Sequence, residues 1–290
     1  MELAVQIGLN ALIGGAIYAL VALGFNLIYS TARFFDVGYG ALAVVGGYGV
    51  LYFYKTLELP LPVSIVLAVL FTGALGWLIE RFVYRPMRQR KASPTVLLIA
   101  SIGVLTVIQA VIAMVFTSQF QTLSRDIGAT RVFQIFGGAV TSVQIIIFLV
   151  AIAIMLALAL TLKYSLFGKA IRAIADDEEV ARIVGIPSER LIGLVFFIGS
   201  AIAAVAGIAI GFDTGLQPTA GLTLLLGGII AAIIGGVGNI RGGVAGAFIL
   251  AIIENLGVWT FSGEWKTTIA FGVLTVVLLF RPQGLFQSRK

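Results

Sequence analysis

The sequence predicts an all-α, polytopic integral membrane protein with about eight to ten transmembrane helices, some of them short or discontinuous. Three observations carry this. Apolar residues make up 60% of the 290-residue chain and charged residues 11%, a balance foreign to soluble domains. Several apolar runs reach about 18 residues or more, enough to cross a bilayer. Basic residues are also unevenly placed. With the N-terminus outside and the C-terminus cytoplasmic, all 19 Lys and Arg except Lys55, Arg125, Arg131 and Lys266 fall on one side, which the positive-inside rule makes cytoplasmic. The net charge of +6 therefore reports topology, not nucleic-acid recognition.

The chain reads as one transmembrane domain, residues 1–290, with a cytoplasmic loop at about 165–190. The N-terminus has Glu2 as its only early charge and lacks the basic start and small-residue cleavage site of a signal peptide. The first span runs from about Val5 to Tyr29. The second, glycine-rich and short, covers about Tyr39 to Tyr54. The third runs from about Leu61 to Tyr84 and ends in RPMRQRK, and the fourth from about Thr95 to Phe116. A polar interval follows, in which RVFQIFGG alternates as a small hairpin would. Val143 to Tyr164 and Leu191 to Phe212 are further spans. Leu222 to Val237 carries Gly-Gly twice and is expected to be discontinuous or re-entrant, and two more spans cover Gly242 to Phe261 and Thr267 to Phe280.

Gly168 to Pro187 is the one long, densely charged run, and it must face water. It reads as a helix pair. Asp176 and Glu179 have capping-box spacing, Glu178 precedes Arg182 by four, and Gly185 with Pro187 supplies a stop. Small residues Ala170, Ala173, Ala181 and Val184 offer a face for a soluble partner. An ordinary solvated loop is the plainer alternative. No GxxxxGK[ST] loop occurs, so ATP, if it powers this protein, is bound by a separate polypeptide and this chain takes no cofactor. With no Cys and no His, disulfides, thiolate metal sites and His-based catalysis are excluded, and a non-catalytic role is expected.

Within the spans, Glu254 with Asn255 stands out. An ionised carboxylate there costs about 3 kcal/mol on insertion scales, so it should face a cavity or a partner. A place near a translocation path and a plain interhelical hydrogen bond both fit. Asp36, at the start of the second span, has the position of a helix cap. The Gly-Gly pairs at 14, 46, 227, 235 and 242 fit close helix packing or broken helices along a pathway.

Several motifs in order also resemble one family. Gly168, Ala170, Arg172, Ala173, Ala175, Asp177, Ala181, Gly185 and Ile186 are similar to the G-x-A-x-R-A-x-A-x-D…A…GI loop of LivH-type permeases of hydrophobic (branched-chain) amino-acid ABC importers. AAVAGIAIG at Ala203 to Gly211, the run from Gly227 to Glu254, the terminal RPQGLF, GGY at Gly46 to Tyr48 and ERFVYRP from Glu80 extend the likeness over nearly the whole chain. The resemblance implies a bacterial inner-membrane importer subunit. It would pair with a second, homologous but different permease, two cytoplasmic ATPases and an extracytoplasmic solute-binding protein. The 168–187 loop, with Gly168, Ala170, Arg172, Ala173, Asp177, Ala181 and Gly185, would be the ATPase-coupling element. Where relatives carry N-F-A-H-G, this chain has Asp36, Val37, Gly38, Tyr39 and Gly40, and Leu224 to Leu226 stand where many have an aromatic. Asp36, Tyr39, Gly40, Glu254 and Asn255 are the pathway candidates. Neutral hydrophobic amino acids are the first expectation for the solute, urea or short amides the second, and a secondary transporter the more distant reading.

Overall fold

The first apolar run folds as one helix, α1 (Glu2–Ala32), and lies at the centre of the molecule, with Ala16, Leu20, Leu23 and Leu27 fully enclosed. The computed structural model describes residues 2–123 and 131–286; Arg125, Arg289 and Lys290 of the charge asymmetry lie outside them. Next comes α2 (Gly38–Leu51), which runs on through a wide π-type turn at Tyr52–Thr56. Helix α3 (Leu61–Ile79) passes through a second π-type turn at Glu80–Tyr84 into α4 (Arg85–Gln89). Helix α5 (Pro94–Phe116) opens on a Ser93 cap with Pro94 in its first turn, where a missing N–H costs nothing. The expected hairpin forms: β1 (Val132–Ile135) pairs antiparallel with β2 (Gly138–Thr141), Val132 opposite Thr141. Thr141 and Gln144 then build a reciprocal capping box for α6 (Ser142–Tyr164).

The charged stretch is the helix pair that its punctuation predicts, α7 (Leu166–Asp176) and α8 (Glu178–Ile183). The remaining helices are α9 (Ser188–Asp213), α10 (Ala220–Gly235), α11 (Ile240–Thr260) and α12 (Lys266–Phe280). Among the described residues, seven helical units are long and apolar enough to cross a bilayer. The shorter α2 and α10 pack among them. One end of the bundle carries the hairpin, where Gln6 of α1 bonds the backbone of Ala139. The other carries α7, whose Ala175 carbonyl accepts from Arg33 just past α1.

Small residues set the spacing. A Cβ at Gly207 of α9 would sit on the carbonyl of Ala43 in α2, and one at Gly46 would strike the backbone of Ala204. Gly40 of α2 likewise abuts the carbonyl of Gly221 in α10, 2.5 Å from where a Cβ would lie. Packing is therefore the role of the pairs at 46, 227, 235 and 242, as the plainer reading has it. Gly14 differs, since nothing approaches it. The expected break within Leu222 to Val237 does not fall inside the apolar run. Helix α10 continues through Gly227 and Gly228, which pack against Tyr18 and Val21 of α1, and it stops at Gly235 because Gly236 adopts φ 107°.

The α10–α11 turn is held from two sides. Asn26 of α1, fully buried, accepts from the Gly238 amide at 2.9 Å. From the C-terminal segment, the Leu285 amide donates to Ile234 at 2.8 Å and the Phe286 carbonyl accepts from Asn239 at 3.0 Å. Asn26→Ala strands the Gly238 N–H inside the protein and is expected to cost about 1–3 kcal/mol. Thermal unfolding in detergent checks this against Asn10→Ala, an exposed position that should not shift it.

Candidate functional site

Glu254 is buried at 2% exposure although it lies within an apolar helix. Its carboxylate accepts from the Tyr18 hydroxyl at 3.0 Å and faces the Lys266 ammonium at 3.7 Å. Lys266 opens α12 and also lies over the Tyr18 ring, 5.6 Å from its centre. Tyr18 reaches Glu254 because Gly227 lets α10 close on the ring; a Cβ there would come within 2.5 Å of it. These three side chains line a cavity of about 350 Å³ between α1, α10, α11 and α12. Its wall is mixed: Thr219 and Thr223 supply hydroxyls, while Leu224, Leu226, Ile230 and Phe271 supply apolar surface.

The pathway candidates separate into two networks. Glu254 lines the cavity, whereas Asn255 turns back and donates to Ala251 of its own helix at 2.8 Å. Asp36, also buried, accepts from the Tyr84 hydroxyl at 2.7 Å and from the first amides of α2. Burial pushes the Asp36 carboxyl up to about 6, while those hydrogen bonds pull the other way. Tyr39 is fully buried with its hydroxyl against Gly24 of α1, and Gly40 stands one layer behind the cavity wall, against Gly221 and Leu225 of α10. Tyr84→Phe leaves Asp36 without its side-chain donor and is expected to cost about 1–3 kcal/mol, read as a lowered melting temperature in detergent.

At the opposite end, the charged helix pair differs in detail from its sequence reading. The cap of α8 is Asp177, not Asp176: Asp177 accepts from the amides of Glu179 at 2.8 Å and Val180 at 3.0 Å. Glu178 and Arg182 form the expected pair at 2.9 Å, and Gly185 ends the unit at φ 88°. Gly168 is buried against the Leu162 backbone, and Arg172 donates to the Leu162 carbonyl. Ala181 is enclosed and Ala170 and Ala173 are half-buried, so the small residues turn inward. What α8 presents outward is Val180, Ile183 and Val184, the last two at 82% and 69% exposure. Beside them, Arg85, Arg88 and Lys91 face Glu178, Glu179 and Glu189 across a charged cleft. Its frame is the pairing of Arg88 with buried Glu80 and of Arg85 with Glu189.

Sequence reasoning missed Tyr18 and Tyr84, whose partners are far along the chain. Lys266 had one signal: it is among the four basic residues that break the charge asymmetry.

A bundle of long apolar helices around a half-polar cavity, with a charged helix pair displayed at one end, defines a multi-pass membrane transport protein. The chain belongs to the family described as branched-chain amino acid transport system / permease component, which matches residues 7–278. It is 32% identical over 294 residues to the high-affinity branched-chain amino acid transport system permease protein LivH of Escherichia coli K12, covering 95% of this chain and 93% of the relative. It is also 32% identical over 289 residues to the corresponding BraD of Pseudomonas aeruginosa, with the same coverage. Among solved structures, a chain of PsaBC from Streptococcus pneumoniae in complex with Fab superposes with a TM-score of 0.54 over 94% of this chain and 91% of that one. At 14% identity, that likeness is one of fold. The chain is a permease component and a multi-pass protein of the bacterial inner membrane.

Proposed function

We propose that this chain is one membrane subunit of an ATP-driven importer and carries branched-chain and other neutral hydrophobic amino acids inward through the Glu254 cavity. The observation that carries this reading is the family match over residues 7–278, joined to a cavity walled by both hydroxyl and apolar groups. In this reading the N-terminus is outside and the α7–α8 end is cytoplasmic, following the distribution of Lys and Arg. A different, homologous permease completes the pathway, and an extracytoplasmic binding protein delivers the solute. Two ATPases bind ATP and seat on α8 through Val180, Ile183 and Val184, with the charged cleft setting the register. Closure of the ATPases shifts the helices between outward and inward access. The chain itself performs no catalysis.

The test is co-expression with the neighbouring subunits, purification in mild detergent, and an ATPase assay with binding protein loaded with leucine, isoleucine, valine or urea. Co-purification of an ATPase stimulated by the leucine-loaded protein supports the reading. A monomer that moves solute without ATP overturns it, and stimulation by urea alone replaces the solute assignment.

A further inference from the structure

We infer that Glu254 and Lys266 form an exchangeable ion pair that recognises the two charged ends of a zwitterionic amino acid in transit; this deepens the transport reading above and rests on it. The pair is asymmetric in a way a purely structural pair need not be. Glu254 is 2% exposed and fixed by Tyr18, whereas the Lys266 side chain is 51% exposed and meets the carboxylate at 3.7 Å through a single contact. One partner is therefore fixed and the other is free to turn at the cavity wall. Unpaired charge in an apolar span is costly, so whatever separates these two must replace both interactions. A zwitterion does so without leaving a charge over. Its α-ammonium takes the place of Lys266 at the Glu254 carboxylate, and the released Lys266 ammonium meets its α-carboxylate. The site is electrically neutral before and after. The Tyr18 ring, already beneath Lys266 at 5.6 Å, offers the ammonium groups an aromatic face during the exchange. Leu224, Ile230 and Phe271 in the same cavity give the apolar side chain its surface.

The chemistry also rejects. A carboxylic acid without the amine would leave Glu254 unpaired, and an amine without the acid would leave Lys266 unpaired. Urea and short amides, being neutral, cannot replace either partner. Selection by penalty against incomplete solutes is the stronger form of discrimination in a buried polar site.

The experiment uses membrane vesicles containing the whole transport system, with L-leucine as solute and two readouts, uptake and hydrolysis stimulated by leucine-loaded binding protein. Glu254→Gln and Lys266→Met are each expected to lower uptake about tenfold or more. Glu254→Asp and Lys266→Arg should recover most of it, while stimulated hydrolysis stays within about twofold in all four, as coupling without recognition predicts. Uptake within about twofold of wild type in both neutralised variants overturns the inference. So does a parallel loss of stimulated hydrolysis, which marks a structural pair. Should Glu254→Gln fail to accumulate, Lys266→Met decides alone, since that side chain is half-exposed. Failure of the transport reading itself is distinct: wild-type vesicles would then show no ATP dependence.

Discussion

Gly207→Leu is expected to abolish accumulation of folded protein in the membrane, whereas Gly14→Leu leaves accumulation unchanged. The difference lies in what each position faces. At Gly207 even a Cβ would overlap the Ala43 carbonyl, a backbone atom of a helix that is buried along nearly its full length. Overpacking that only side chains must absorb costs about 1–3 kcal/mol. Here α2 and α9 would have to separate, which also opens the contact between Gly46 and Ala204. In lipid there is no hydrophobic drive to hold the helices together once close packing is lost. Gly14 has open space around it, so added volume is absorbed by its surroundings. Membrane fractions probed for the full-length chain separate the two outcomes. Equal accumulation of both variants would show that the α2–α9 crossing is not a determinant of the fold.

Ile183→Asp is expected to reduce ATP hydrolysis stimulated by loaded binding protein about tenfold or more, while leaving accumulation in the membrane at the wild-type level. Ile183 is 82% exposed on a helix of the water-facing charged stretch, so replacing it removes no contact within this chain. An exposed isoleucine next to exposed Val180 and Val184 fits an interface centre, and a carboxylate buried there against a partner would be costly. Arg172 and Ala173 are poorer tests of the same idea. Arg172 holds the Leu162 carbonyl and Ala173 packs inward, so changes there disturb the helix pair itself. Hydrolysis within about twofold of wild type in the Ile183→Asp variant would move the docking surface elsewhere.

What could be read from sequence follows the range of the interactions involved. Span positions, the hairpin and the α7–α8 pair depend on local pattern and capping, and they emerged within a few residues of the observed ends. The cap was displaced by one residue because two adjacent acids compete for it, and the extended backbone of Asp177, with φ −153°, decides between them. The inward turn of Ala181 could not be read. Which side of a six-residue helix faces the bundle depends on the angle at Asp177, not on its composition. At the cavity, Glu254 was visible because a carboxylate in an apolar run must be compensated. Its compensators were not, since Tyr18 lies 236 residues away and looks like any aromatic in a span.

The wide turn at Glu80–Tyr84 has a consequence for how this region tolerates change. A π-type turn holds one residue more than the α-helical ladder would, and each residue of a helix rotates the following chain by about 100°. Glu80 meets Arg88, Tyr84 meets Asp36, and Arg85 meets Glu189, each from a different direction around the same axis. Substitution within the turn can be accommodated side chain by side chain. Deleting one residue would return the segment to regular helix and swing Arg85 and Arg88 together off their acidic partners. Chain length there acts as a phase setting, the angular link between the membrane bundle and the charged cleft beside α8.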